Sequence, residues 1–537
     1  MVVRSPSSPS PEADDVPLPE WPQWLLDKHG AKVLRPTEAA RAPGSPRPVA
    51  TVYRSDVLLV PVSVLEQGAT RGQVDDELRR VGLTIRQGED LPGVDLPPEF
   101  DALDEETRQL VPVPIVLSAR PDETESDSEN AVAVVDAWTA QEQIRAGVAA
   151  GRIGGRGVGA IAVEHLFSGA DYGGVPTWVP HDLRDGEAAA PYPMIPVAFS
   201  GAPPVRPQLA AGHRRVVIAV PDTGINQHPW FGITAKTLSG NGFVHGYAAS
   251  AAAIAQQAGK LSGLTPTQVL QDFWESPLYA NALSEELGRA TGHFTFIAGL
   301  IHQVAPAADV LALRVLHTDN VAYEADLLLA LWLLVARVTA AQAAPAGDER
   351  RRETVDVVSF SLGAYLDRAS AKEGHLRAVL TRLTDLGVLL VAAAGNDRTT
   401  RPFHPAAFAA ELTSEQAGPK VMGVGALNPD ETEAWFSNAG PNVTVYATGA
   451  NVLSTFPTVA KGSRGSNSAV ASGERRTADP DQFSSGFAIA SGTSYATAEF
   501  AAAVARGLGD SIPLNEKSPL DRMRKRAARQ IKKYQGS

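Results

Sequence analysis

The run RVVIAVPDTG, Arg215 to Gly224, decides the fold. Its apolar residues, Val216 to Val220, are consecutive rather than alternating. A strand of that kind has both faces buried, which is the condition of a parallel sheet covered by helices. It ends on an acid, Asp222, followed by Thr223 and Gly224, small residues suited to a turn. Comparable runs recur at Asp309–Leu316, Val355–Gly363, Gly387–Asn396, Lys420–Ala426 and Val443–Gly449, with helical stretches between several of them. Residues 213–512 therefore read as an α/β unit with a parallel sheet flanked by helices.

Upstream the pattern changes. TVYRSDVLLVPV (Thr51–Val62) is β-rich, Arg71–Gly82 carries Val74, Leu78 and Val81 at helical spacing, and Leu83–Gln87 is a short strand. Val111–Ala119 follows as a strand whose prolines suggest an edge, Asp136–Gly151 as a helix and Val158–Phe167 as a last strand. The β-α-β-β-α-β order predicts a small ferredoxin-like α+β domain over 41–167. Residues 1–40 read as an extended segment, its first half disordered; Asp122–Asn130 reads as a solvated acidic loop, and 168–212 as a Pro- and Gly-rich linker. The end, 513–537, holds eight Lys or Arg between Lys517 and Lys533 and reads as a basic, solvated terminal helix.

Composition narrows the chemistry. The chain has 537 residues, 44% hydrophobic and 20% charged, which is ordinary globular usage. It has no cysteine, so disulfides, Cys-ligated zinc, iron–sulfur clusters and a thiol nucleophile are all excluded. A net charge of −12 argues against a nucleic-acid partner. The longest apolar run, Leu327–Ala336, rises only about 15 Å as a helix, half a bilayer, and reads as a buried helix. No secretory signal is visible at the N-terminus, so the expected location is cytoplasmic, without membrane contact.

Ligand-handling residues in open α/β sheets gather at the carboxyl ends of strands. Asp222 and Asn396 close two of the runs, Ser494 opens an alanine-rich helix in ASGTSYATAEFAAAVA, and His293 opens another in TGHFTFIAGLI. Serine, histidine and aspartate together support nucleophilic acyl transfer. A neutral imidazole takes the hydroxyl proton, a buried carboxylate orients the imidazole, and an amide donor stabilises the oxyanion.

The chain order Asp222, His293, Asn396, Ser494 is that of subtilisin. DTGINQHP (Asp222–Pro229) resembles the aspartate motif of the subtilase family. GHFTFIAGLI (Gly292–Ile301) with QVAPAADVLALRVL after it resembles the histidine motif, and SFSLG (Ser359–Gly363) the segment that lines the substrate groove. AAAGN ends on the family's oxyanion asparagine, and GTSYATA (Gly492–Ala498) is similar to the serine motif. The resemblance covers Val216 to Leu508 and implies a serine endopeptidase with a seven-stranded parallel sheet. It implies Ser494 as nucleophile, His293 as base and then acid, Asp222 as its orienter, and Asn396 with the Ser494 N–H as oxyanion hole. It further implies that Ser361, Leu362 and Gly363 pair with substrate backbone as an added strand, and that Ala393, Ala394 and Gly395 border a specificity pocket with room for a large apolar side chain. Activity is expected to rise from mildly acidic to neutral pH as His293 loses its proton. The N-terminal β-α-β-β-α-β pattern resembles the inhibitory propeptide of the family, which implies a maturation cut after His165-Leu166-Phe167 or in the linker. The implied partners are a peptide or protein substrate, the chain's own propeptide-like domain, and a dedicated regulatory or substrate protein. No cofactor is required; structural calcium is common in the family, yet no run of carboxylates here declares ligands.

The sequence also departs from the family. Phe294 stands where the residue after the histidine is normally glycine, a ring expected to crowd the leaving-group side or to contact substrate. Phe296 and Ala498 replace a second histidine and a proline. The span from Asp222 to His293 is long for the family and marks 240–287 as an insertion that acts as a lid or exosite. Phe294 also supports a second reading, a pseudoprotease that grips a peptide without turnover. Two simpler patterns fall away: a single Asp-Thr-Gly lacks the partner copy that an acid protease needs, and GRGVGA (Gly155–Ala160) lacks the strand that precedes a dinucleotide loop. His228, His302 and His404 are expected at the surface or behind the site rather than in the chemistry.

Overall fold

The computed structural model describes residues 21–535 except 43, 45–46, 87–94, 121–133, 171–193, 235, 239–241, 282, 412–419, 467, 471 and 473–474. The expectations for residues 1–20, for Asp122–Asn130 and for most of the 168–212 linker lie outside the described residues.

The N-terminal unit consists of β1 (Val52–Pro61), α1 (Gly68–Arg79), β2 (Leu83–Ile85), β3 (Pro112–Ala119), α2 (Ala137–Ala149) and β4 (Ala162–Gly169). Its strands lie in the order β4-β1-β3-β2, every pair antiparallel. This is the ferredoxin-like arrangement. Val74 and Leu78 of α1 and Trp138 and Ile144 of α2 share one buried cluster with Leu58, Val60 and Ile115 of the sheet. β3 is not an edge strand, because it lies between β1 and β2. Its prolines are tolerated because the short β2 reaches only Leu117–Ala119, so Pro112 and Pro114 lie past its end.

The second unit is built on a seven-stranded sheet with all neighbours parallel. Its strands are β5 (Val217–Asp222), β6 (Val244–Gly246), β7 (Asp309–Arg314), β9 (Val357–Phe360), β11 (Leu389–Ala393), β12 (Val421–Leu427) and β13 (Val445–Thr448), in the order β6-β7-β5-β9-β11-β12-β13. The gaps in that numbering are two short strands outside this sheet, β8 (Val321–Tyr323) and β10 (Leu362–Gly363). Helices cover both faces: α3 (Ala248–Ser262), α5 (Glu324–Ala343) and α6 (His375–Asp385) on one, α4 (His293–Val304) and α7 (Thr493–Leu508) on the other. The run read as a buried helix falls in α5, where Leu327 to Leu334 are all buried. Among the described residues no helix is long and apolar enough to cross a membrane.

Two peripheral stretches are more integrated than the sequence suggested. Residues 240–287 are not simply a lid, since they supply β6, the edge strand of the main sheet, and α3, which packs on α5. The basic end forms α8 (Pro519–Gln535), which buries Met523, Ala527 and Tyr534 while its cations face outward. The Tyr534 ring meets Phe500 of α7 edge-on at 4.8 Å. The helix is thus half-docked, because a row of small and apolar residues recurs among its charges.

The two units share a sheet. The end of β4 leaves the N-terminal unit and enters between two strands of the second unit. Leu166–Ser168 pairs with β8, and Ser168–Gly169 pairs with β10, both antiparallel. The strand continues to Gly169, two residues beyond the expected domain end.

Candidate functional site

Asp222 sits at the carboxyl end of β5 and is fully buried. Its own carbonyl accepts from Val315 N at 2.9 Å and Leu316 N at 3.1 Å, which fixes the strand end. Its carboxylate accepts from Thr223 N at 2.7 Å and lies 2.9 and 2.8 Å from His293 Nδ1. That geometry assigns the Nδ1 proton to the carboxylate side and aims Nε2 the other way.

His293 opens α4 behind an unusual cap. Gly292 has φ +78°, and a Cβ there would lie 2.4 Å from the Phe456 ring. Only glycine satisfies both conditions. The Gly292 amide donates to Glu275 Oε1 at 2.7 Å, and Asn226 Nδ2 donates to Glu275 Oε2 at 3.0 Å. Burial pushes the Glu275 carboxyl up to about 7 despite those donors. Glu275 thus ties the aspartate loop to the histidine helix. Sequence reasoning missed it because it lies inside 240–287; its signal was a lone acid between two aromatics and a proline, FWESP, which is too weak to single out.

Ser494 lies in the first turn of α7, fully buried. The ring of its neighbour Tyr495 is 5.7 Å from the His293 ring, which places the two helix starts side by side. The Ser494 hydroxyl, however, donates to the Ser361 carbonyl at 3.0 Å. Asp222 and His293 are in direct contact, whereas the hydroxyl is bonded to Ser361, between β9 and β10.

Asn396 follows β11. Its Oδ1 accepts from Thr493 N and Thr493 Oγ1, both at 2.9 Å, which leaves Nδ2 as the outward donor. That Nδ2 is buried and has no hydrogen-bond partner among the described residues. A buried amide donor held without a partner is costly and marks a place for an acceptor.

The chain's own backbone lies against Ser494. Ser494 N donates to the Ala170 carbonyl at 3.1 Å, and Ala170 N donates to the Ser361 carbonyl at 2.8 Å. Leu362 is opposite Gly169 and Gly363 opposite Ser168. Gly363 is required because a Cβ there would lie 2.4 Å from the His404 carbonyl. Phe167 is wholly buried in the cluster that holds Leu316, Ala322 and Leu362.

The three residues expected to border the pocket have different surroundings. Ala393 shares a buried cluster with Ala170, Tyr365 and Phe403. A Cβ on Gly395 would lie 2.4 Å from Asn438 Nδ2 and 3.2 Å from Phe403. The Ala394 side chain points elsewhere, into a cluster with Leu427, Val443 and Tyr446. Phe294 is corrected. It is 1% exposed and belongs to the core cluster of α4 and α7, not to the groups around residues 166–170. Its amide, by contrast, donates to Thr223 Oγ1 at 3.3 Å.

The three remaining histidines are buried rather than superficial. His228 accepts from Trp230 N through Nδ1 and contacts the Gly486 carbonyl through Nε2 at 2.8 Å; burial pushes it down to about 4. His302 lies 4.2 Å from the Phe243 ring and is likewise pushed down to about 4, and His404 to about 3. Neutral imidazoles in such surroundings serve packing. Among the described residues no group of three or more His, Asp or Glu side chains is placed to hold a metal ion.

The profile described as "Subtilase family" matches residues 213–516. The chain belongs to the subtilase family. It is 31% identical over 173 residues to the subtilisin-like proteinase Mp1 of Magnaporthiopsis poae, covering 31% of this chain and 37% of that protein. It is 30% identical over 180 residues to the major intracellular serine protease of Bacillus subtilis, covering 31% of this chain and 47% of that protein. These alignments therefore span less than half the length of either relative. A crystal structure of a cold-adapted subtilisin-like serine proteinase aligns with 58% of this subtilase and 82% of that chain, at 19% identity and a TM-score of 0.33.

Around the subtilase cleft the two units meet through buried charges. Arg54 and Glu164 pair at 3.1 Å with no exposure, and Glu164 Oε1 accepts from Ala325 N at the start of α5. His165 lies between two acids, with Nδ1 2.7 Å from Glu324 and Nε2 3.3 Å from Asp367. Burial alone would push His165 down; Glu324 and then Asp367 outweigh it and raise it to about 9. A carboxylate at a helix N-terminus is a favourable placement, and here the carboxylate comes from the N-terminal unit.

Proposed function

We propose that this subtilase is a serine endopeptidase made as a self-inhibited precursor. Its N-terminal unit is its propeptide, and the strand Leu166–Ala170 occupies the cleft as a substrate does. The observation that carries the reading is the Ser494 amide on the Ala170 carbonyl, with the strand paired on both sides. Ser494 adds through Oγ to a carbonyl carbon while His293 Nε2 takes the hydroxyl proton. Asp222 holds the imidazolium, and the oxyanion takes the Ser494 N–H and Asn396 Nδ2, each donor being worth about 3 kcal/mol in such sites. The amine leaves with the proton from His293, and water repeats the sequence on the acyl-enzyme. No step requires a resident cofactor. The chain acts on peptide or protein substrates in the cytoplasm, and a dedicated regulatory or substrate protein completes its control.

The pseudoprotease reading has one observation in its favour, the Ser494 hydroxyl bonded to Ser361 rather than to imidazole. A fluorophosphonate probe separates the two. Labelling of the mature wild type that disappears in Ser494→Ala supports the endopeptidase. A mature protein with the N-terminal unit removed that takes no label leaves only the binding module.

A further inference from the structure

We propose that the cleft demands glycine at the position just before the residue whose carbonyl is attacked, and that Asn320 enforces this. The inference rests on the endopeptidase reading above, with Ala170 as the attacked residue and Gly169 as the one before it. Asn320 grips Gly169 twice: Gly169 N donates to Asn320 Oδ1 at 3.1 Å, and Asn320 Nδ2 donates to the Gly169 carbonyl at 3.4 Å. A Cβ on Gly169 would lie 2.4 Å from that same Oδ1 and 3.2 Å from Leu316 Cδ2. The first distance is far inside van der Waals contact, which for such atoms is near 3.5 Å. A side chain at this position and the Asn320 amide in its present, doubly bonded placement exclude one another.

The backbone that carries the Asn320 amide is fixed, so the side chain can yield only by rotating away from Gly169 and giving up both bonds. Asn320 stands at the corner of a tight turn with φ +74°. The turn is closed by Asn320 N on the His317 carbonyl at 3.0 Å and His317 N on the Val321 carbonyl at 2.8 Å. Ala290 N donates to the Thr318 carbonyl at 2.8 Å. A bulkier residue would have to break both amide bonds and push Leu316 back into the core. The contacts are with substrate backbone, so they act on any bound chain and not only on residue 169.

The test uses the mature wild-type protein and internally quenched peptides. Each carries the sequence of residues 164–170 before a common acceptor segment, with glycine kept or replaced by alanine or leucine. The expected order of kcat/KM is glycine above alanine by roughly tenfold and above leucine by roughly a hundredfold, the scale for losing paired hydrogen bonds and packing in a fitted site. Asn320→Ala should narrow both gaps by raising the rates on alanine and leucine, a change in selectivity that a purely structural role would not produce. Equal rates on the three peptides, hydrolysis of denatured casein with none of the peptides cut, or an unchanged gap in Asn320→Ala would overturn the inference while leaving the endopeptidase intact. Loss of all hydrolysis together with absence of fluorophosphonate labelling overturns both. If Asn320→Ala does not mature, the wild-type series decides alone.

Discussion

The amide of Ser494 holds the carbonyl of Ala170 at 3.1 Å, across 324 residues of chain. One donor of the expected oxyanion hole is therefore already engaged by the protein's own backbone, at a residue in the strand register of a substrate. The first prediction follows directly. Wild-type chain should cut itself between Ala170 and Asp171, giving a mature product that begins at Asp171, whereas Ser494→Ala should remain full length. Intact-mass spectrometry reads both. A wild-type first cut elsewhere in 160–212 would remove Ala170 from the role assigned to it.

Phe167 anchors the end of β4, the strand proposed to inhibit. Its ring is fully buried between the two units. Truncation to alanine removes a packing contribution of about 3–5 kcal/mol. Phe167→Ala should loosen the N-terminal unit, so that activity appears sooner after the cut. The lag before hydrolysis of a fluorogenic peptide is the measurement; an unchanged lag would show that the anchor lies elsewhere.

Release of the N-terminal unit should depend on pH through His165. In the docked state this histidine is raised from 6.5 to about 9 by Glu324 and Asp367, which overcome its burial. A group raised on docking contributes stability that is full below 6.5 and is lost as pH climbs through about 9. The cut N-terminal unit should therefore dissociate more readily at pH 9 than at pH 6. The facing groups are Glu324, Asp367 and the buried His375 and His404, both of which burial pushes down from the usual histidine value. Size-exclusion chromatography of the processed Ser494→Ala complex, assembled by proteolysis in trans, would read the bound fraction. His165→Gln should flatten the profile.

Phe294→Gly should not release a blocked site. The ring lies in the core of α4 and α7, so its removal leaves a cavity and puts glycine in a helix. Together these cost about 4 kcal/mol or more. The expected result is a lower unfolding midpoint and no gain in kcat. A rise in kcat at unchanged stability would restore Phe294 to the cleft.

Gly292→Ala tests the cap of the histidine helix. It places a Cβ at φ +78° and 2.4 Å from Phe456. Backbone strain of this kind costs about 1–3 kcal/mol before the clash is counted. Activity should fall together with thermal stability, and Glu275→Ala, which removes the acceptor of the Gly292 amide, should lower activity as well. Full activity in both variants would show that the cap does not position His293.

Much of this was legible in the chain order. Consecutive apolar residues in Val216–Val220 and its repeats determine a parallel sheet, because alternation would be needed for any strand with a wet face. Asp222 and Asn396 could be named from their places at the ends of such runs, and Ser494 from its place at the start of a helix. The ferredoxin-like order of the N-terminal unit was likewise readable from the alternation of its periods. What no linear reading could supply is which groups meet across long separations. Glu275 capping Gly292, Asn320 closing on Gly169, Tyr365 and Phe403 clustering with Ala393, and Phe294 turning inward all depend on where helices and turns pack. Sequence periodicity specifies which face of an element is apolar; it does not specify what that face will meet. The parallel sheet was determined by the sequence, while the pairing of β4 with β8 and β10, the Ser494 hydroxyl on Ser361 and the closure of Asn320 on Gly169 were decided by tertiary contact, since only packed atoms exclude one another.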